Sequence, residues 1–121
     1  MGTIETGKQG ERIAAEYLIS QGFRILDKNW RESHGELDIV ALDNTTLVFA
    51  EVKYRADEEF AGIEYAISHS KARSLKKYAQ KYMLKTDVYY EEIRFDFIGI
   101  LPNPDGSFRV EYAKNFIDWR G

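Results

Sequence analysis

The pattern of apolar and polar positions is organised around the stretch from Gly35 to Lys53. Two alternating runs, Glu36 to Leu42 and Leu47 to Lys53, flank Asp43-Asn44-Thr45-Thr46, which has the composition of a turn, and together they predict a β-hairpin. With those residues as the loop, Leu42 faces Leu47 and Asp38 falls directly opposite Glu51. A two-residue loop would leave the carboxylates diagonal instead. In either register, alternation puts Glu36, Asp38 and Val40 on the face that carries Leu47, Phe49, Glu51 and Lys53. Leu47, Val48, Phe49, Ala50 and Val52 are apolar on both faces, as in a central strand covered from both sides.

The remaining elements fall around this hairpin. After a disordered start, Lys8 to Gln21 reads as a helix with Ile13, Ala14, Tyr17 and Leu18 on one arc. Gly22 suits its left-handed end, and Phe23 can fold back on Leu18. Phe23 to Trp30 is expected to be an edge strand, followed by a connecting loop at Arg31-Glu32-Ser33-His34. Tyr54 to Gly62, with Asp57-Glu58-Glu59, reads as a mobile acidic loop, and Gly62 to Ile67 as a short helical turn. Ser68 or Ser70 is expected to cap a helix reaching about Lys85, with Leu75, Tyr78, Ala79, Tyr82 and Met83 as its core stripe. Ile93 to Leu101 forms a strand, Asn103-Pro104-Asp105-Gly106 a turn, and Phe108, Val110 and Tyr112 a last strand. Phe116 to Trp119 packs the C-terminus down.

Composition narrows the function classes. The 121 residues, 44% hydrophobic and 31% charged, suit one globular domain over 1–121. No apolar run is long enough for a membrane span and the N-terminus lacks a signal-peptide pattern, so a cytoplasmic protein without membrane partners is expected. The absence of cysteine excludes thiolate catalysis and cysteine-ligated zinc, and His34 and His69 show no metal-ligand spacing. A net charge of -3 speaks against a general nucleic-acid coating protein.

The chemistry concentrates where the hairpin opposes Asp38 to Glu51. Like charges on opposed strand positions are destabilising, and a divalent cation held by carboxylate oxygens is the usual remedy. Lys53 projects on the same side, so two carboxylates and an ammonium converge. A surface cluster of ordinary ion pairs is the bland alternative. Glu11 lies at the edge of the first helix's apolar arc and looks inward, or else is a first-turn acid favoured by the helix dipole. Lys71 belongs to the apolar stripe of the second long helix and calls for a nearby anion. With Arg73, Lys76, Lys77, Lys81 and Lys85 it makes either a solvated helix face or a phosphate-binding rim. Asp96 is structural, paired with Arg94 or the sheet edge.

At Glu11-Arg12, Asp38 and Glu51-Val52-Lys53 the chain resembles the PD-(D/E)xK nuclease superfamily, with Leu37 where the name has proline. Archaeal Holliday-junction resolvases are the nearest shapes within it. More closely, Gly10-Glu11, Ala14-Ala15, Tyr17-Leu18, Gly22-Phe23, Asn29-Trp30-Arg31, Gly35 to Asp38, Phe49 to Lys53, Lys71 and Arg94-Phe95-Asp96 together resemble the YraN family of small bacterial proteins. The resemblance implies an α/β fold, a restriction-endonuclease-like mixed β-sheet flanked by helices on both faces. It implies that Asp38, Glu51, the Val52 carbonyl and Glu11 hold Mg2+ or Mn2+, and that Lys53 orients water or stabilises the transition state. Lys71 matches a basic position of such nucleases, and Arg12 and Arg31 resemble substrate-contacting arginines; Arg73, Lys76 and Lys77 join them as nucleic-acid contacts. The implied activity is hydrolysis of DNA phosphodiesters, with branched or flap DNA as the substrate and a homodimer where two strands are cut symmetrically. Two other readings stand beside it: a non-catalytic nucleic-acid-binding module of the same fold, and a protein-interaction domain using Tyr89, Tyr90 and Trp119.

Overall fold

In a computed structural model of the chain, residues 3–54 and 69–117 are described. Its strands are β1 (Arg24–Glu32), β2 (Gly35–Asp43), β3 (Thr46–Tyr54), β4 (Glu92–Pro102) and β5 (Phe108–Ala113), and its helices α1 (Thr3–Ser20) and α2 (His69–Lys85). The strands form one five-stranded sheet in chain order, β1-β2-β3-β4-β5. All neighbours are antiparallel except β3 and β4, which run parallel. A parallel pair needs a crossover, and α2 lies within it.

The helices cover opposite faces. Ala14, Ala15 and Leu18 of α1 pack on Ile39, Ala41, Val48, Ala50, Ile98 and Ile100. Leu75, Tyr78, Ala79 and Tyr82 of α2 pack on Val40, Leu42, Leu47, Phe49 and Phe95. The doubly apolar run in β3 is thus a central strand between two cores, and the α/β arrangement with a flanked mixed sheet is the one expected. Phe49 stacks on Phe95 at 5.5 Å between ring centres and meets Tyr82 edge-on at 5.9 Å.

Several local expectations hold. Gly22 adopts φ 92°, Phe23 N–H donates to Leu18 O and Gly22 N–H to Ile19 O, the paired bonds of a Schellman end. The Asn103 to Gly106 turn forms, with Gly106 at φ 89°. Phe116 donates its N–H to Phe95 O at 2.9 Å, tying the chain's end to β4. Asp96, fully buried, accepts from Arg94 Nε at 2.8 Å, Arg94 Nη2 at 2.9 Å, the Asn115 N–H at 2.9 Å and the Tyr112 hydroxyl. It is the structural acid anticipated.

Other expectations are corrected. The helix α1 begins at Thr3, not Lys8; once a helix is nucleated, adding a residue is far easier than starting one, so weak formers such as Thr3, Thr6 and Gly7 are carried along. Arg31 and Glu32 belong to β1, and only Ser33 and His34 turn the chain, because Glu32 pairs with Gly35. Asn44 and Thr45 alone form the second turn, with Asn44 at φ 56°. Because Asp43 then pairs with Thr46, Leu42 still faces Leu47, so the short loop does not shift the register to the diagonal one. Ser70 lies inside α2 rather than capping it. The acidic loop, the turn over 62–67, Ser68 and Trp119 lie outside the described residues.

Candidate active site

The hairpin's regularity fails where its charges begin. The ladder between β2 and β3 ends at Ile39 and Ala50, one step short of Asp38 and Glu51. On the other side, β1 pairs Lys28 with Ile39 and Trp30 with Leu37, with no Asn29–Asp38 pair between them. Asn29 has φ 53°, left-handed backbone within a strand. Leu37 packs with Val40 and Leu42, not with Ile39 and Ala41, so the alternation of β2 breaks at Asp38. The expectation that Glu36, Asp38 and Val40 share one regular face therefore fails, and the break falls where the left-handed Asn29 lies opposite Asp38. A continued ladder would hold two carboxylates opposite each other.

Instead Asp38 Oδ2 accepts the Val52 N–H at 2.9 Å, bridging the strands where the backbone no longer does. Burial, the carboxyl of Glu51 beside it and the Glu51 charge push the Asp38 carboxyl up to about 7. The Val52 N–H and Lys71 oppose that shift without cancelling it. Glu51 is 3% exposed. Lys71 Nζ lies 3.2 Å from its Oε2 but is not directed at it as a hydrogen bond, and this enclosed oxygen has no hydrogen-bond partner among the described residues. The anion demanded by a lysine on the buried stripe of α2 is therefore Glu51.

These groups line a cleft of about 610 Å³ together with Lys8, Glu11, Asn29, Arg31, Glu36, Val52, Lys53 and Tyr54. Glu11 does look inward. The dipole alternative falls because α1 starts well before it. Burial and the nearby Asp38 raise the Glu11 carboxyl, while a hydrogen bond with Asn29 works the other way. Arg31 pairs across the strands with Glu36 at 3.1 Å. Arg12, Arg73, Lys76 and Lys77 do not line the cleft. Along α2, Lys77 and Lys81 lie 5.6 and 5.7 Å from the ring centre of Tyr78, and Lys85 pairs with Glu32 at 2.6 Å. Part of the basic stripe is thus engaged within the chain.

Asn29 went unassigned in the sequence reading. Its signal was there: asparagine is depleted in strands and, among residues with a side chain, tolerates left-handed backbone best. An asparagine in the middle of an otherwise strand-like run marks a break.

A model of the uncharacterised protein family UPF0102 matches residues 10–100. The chain belongs to this family. The family is also the YraN family that the sequence resembles. A UPF0102 protein of Persephonella marina is 44% identical over 112 residues, spanning 93% of this chain and 92% of its own. One of Thermodesulfovibrio yellowstonii is 41% identical over 115 residues, covering 95% and 97%. A relative from Mycobacterium tuberculosis is 37% identical over 112 residues, covering 91% and 88%. The family match spans every cleft-lining residue named above except Lys8.

Proposed function

We propose that the chain is a divalent-metal-dependent phosphodiesterase that hydrolyses DNA, with branched or flap structures as its substrates. The observation that supports this best is a pair of enclosed carboxyls side by side in one cleft, Asp38 and Glu51, in which Glu51 opposes the ionisation of Asp38 and the Lys71 ammonium lies 3.2 Å from Glu51 Oε2. Two carboxyls held this close are costly to keep ionised together. A bound cation would remove that cost.

The donor set fits a hard cation. All candidate ligands are oxygens, from Asp38, Glu51, the Val52 carbonyl and Glu11, with no imidazole or thiolate, which suits Mg2+ or Mn2+. Among the described residues no three His, Cys, Asp or Glu side chains are grouped so as to hold a metal ion, so Glu11 does not join Asp38 and Glu51 in one ready-made ligand set. Magnesium commonly keeps several waters and takes substrate oxygens as ligands, so two carboxylates suffice. When bound, such a cation offsets charge on the phosphate and acidifies a water. Lys53, on the same cleft wall, orients the attacking water or stabilises the charge that develops on the phosphate. Lys71 holds Glu51 in place from the opposite helix.

No helix among the described residues is long and apolar enough to cross a membrane, and the proposed setting is the cytoplasm. Symmetric cutting of two strands calls for two copies of the chain, so a homodimer is the form proposed on junctions.

The test is cleavage of duplex, single-stranded, flap and four-way-junction DNA with Mg2+ or Mn2+, comparing the parent with Lys53→Ala. Metal-dependent cutting that EDTA and Lys53→Ala both abolish is the expected result. Salt-sensitive binding without cutting would replace this reading with the binding module, and absence of any binding would leave the interaction domain.

A further inference from the structure

Beside the carboxylate cleft lies a second hollow of about 490 Å³, lined by Arg31, Ser33, His34, Gly35, Glu36, Lys71 and Ser74. Arg31, Glu36 and Lys71 line both, so the two hollows adjoin at these side chains and together make a trough. One wall is the tip of the β1–β2 hairpin, where Ser33 has φ 56°. The other is the face of α2 that carries Lys71 and Ser74, one turn apart.

The floor explains why the hollow exists. A Cβ built on Gly35 would sit 1.9 Å from Tyr78 Cε2, so the hairpin lies directly against α2 only because this residue has no side chain. Every other lining side chain is polar or charged, which excludes an apolar ligand. The group offers a guanidinium, two hydroxyls and an imidazole against one carboxylate, with the Lys71 ammonium engaged by Glu51 at the junction with the cleft. That carboxylate, Glu36, is held by Arg31 at 3.1 Å with side chains 42% and 76% exposed. An exposed ion pair of this kind is worth little, so Arg31 can exchange it for a phosphate, which a guanidinium grips in bidentate fashion.

We propose that a DNA strand bound at the carboxylate cleft continues into this trough, where Arg31, Ser33, His34 and Ser74 hold a phosphate next to the reacting one. The proposal rests on the phosphodiesterase reading and extends it by giving the strand a direction: between the β1–β2 hairpin tip and α2, away from α1. The basic residues further along α2 are then not the primary track.

The experiment measures binding of a fluorescein-labelled single strand and of its duplex with Ca2+ present, for the parent, Ser74→Asp, His34→Asp and, as a control on the exposed face of α1, Glu16→Gln. Both aspartate variants are expected to weaken binding about tenfold and to lower the salt slope by about one, as loss of one phosphate contact does. The defect is expected to shrink as salt rises, in step with the lower slope, and Glu16→Gln is expected to bind as the parent. Thermal melting identifies a variant that fails to fold; His34, at an exposed turn, then carries the test alone. Aspartate variants that bind as the parent, or whose salt slope equals the parent's, overturn the trough while leaving the nuclease reading intact. A parent that binds neither DNA overturns both.

Discussion

Asp38 and Val52 are joined by a side-chain to backbone hydrogen bond of 2.9 Å, across a strand pair whose own ladder has stopped at Ile39 and Ala50. The bond replaces a regular sheet contact with one that depends on a titratable group. It also keeps Asp38 next to Glu51 despite their repulsion, so the strand separation opens a cleft without dispersing its acids.

The proposed metal site should therefore compete with a proton. Burial and the adjacent Glu51 push the Asp38 carboxyl up to about 7, and a carboxylate ligand must be ionised to bind. Affinity for Mn2+ is expected to rise about tenfold per pH unit below that value and to level off above it. Calorimetry at pH 6 in buffers of different protonation enthalpy is expected to show release of about one proton per ion bound. Affinity that does not change between pH 5.5 and 8 would mean that Asp38 is not a ligand.

Stability without metal follows from the same group, with the opposite sign from an ordinary salt-bridged aspartate. The carboxyl is raised from 3.8 to about 7 in the folded chain. The stability it contributes is fully present below pH 4 and is lost as pH rises through 7, because the folded state holds the proton more tightly than the unfolded one. The loss is at most about 4 kcal/mol if the whole shift is realised. Asp38→Asn is expected to flatten this slope and to be more stable than the parent at pH 8 by urea unfolding. Added Mg2+ is expected to stabilise the parent there and not the variant. A variant less stable than the parent at every pH would show that the carboxyl's hydrogen bond outweighs its burial.

Much of this was legible in the sequence, and the limits have physical causes. The register of Leu42 on Leu47 could be read because the polar cluster Asp43-Asn44-Thr45-Thr46 fixes where the chain turns, and the turn of a hairpin sets its register. Lys71 could be placed because helical periodicity put it on the buried stripe, where a cation needs a partner. The parting of the strands at Asp38 could not be read, because alternation assumes a regular pleat and the break falls where the left-handed Asn29 lies opposite Asp38. Arg12 was placed on the substrate by resemblance, yet helical geometry leaves it exposed and outside the cleft. The sequence shows a residue's helix face more readily than whether that face reaches a site.

The Asp96 network is expected to matter for folding alone. Arg94 bridges Asp96 and Asp43, reaching the latter at 3.1 Å. Its side chain is 18% exposed. Replacing one partner of a buried pair leaves the other charge uncompensated, so Asp96→Ala is expected to cost about 3–5 kcal/mol in urea unfolding. Tyr112→Phe, which removes one neutral donor, is expected to cost about 1–2 kcal/mol. At temperatures where these variants remain folded, their Mn2+ affinity is expected to match the parent's. A selective loss of metal binding in Tyr112→Phe would instead tie this network to the cleft.

Asn29 acts in two ways, since its backbone interrupts β1 opposite Asp38 and its side chain reaches Glu11. Two substitutions separate these roles. Glycine adopts φ 53° freely, so Asn29→Gly keeps the backbone break and removes only the amide; alanine loses the amide and is also strained there, by roughly 1–2 kcal/mol. If Glu11 helps to hold the metal, both variants are expected to bind Mn2+ several-fold more weakly, because the acid has lost the group that fixes it. In urea unfolding without metal, only Asn29→Ala is expected to be clearly less stable than the parent. Equal stability of the two variants would mean that the left-handed conformation is not imposed by the fold. Unchanged Mn2+ affinity in Asn29→Gly would remove Asn29, and the orientation of Glu11 that it provides, from the metal site.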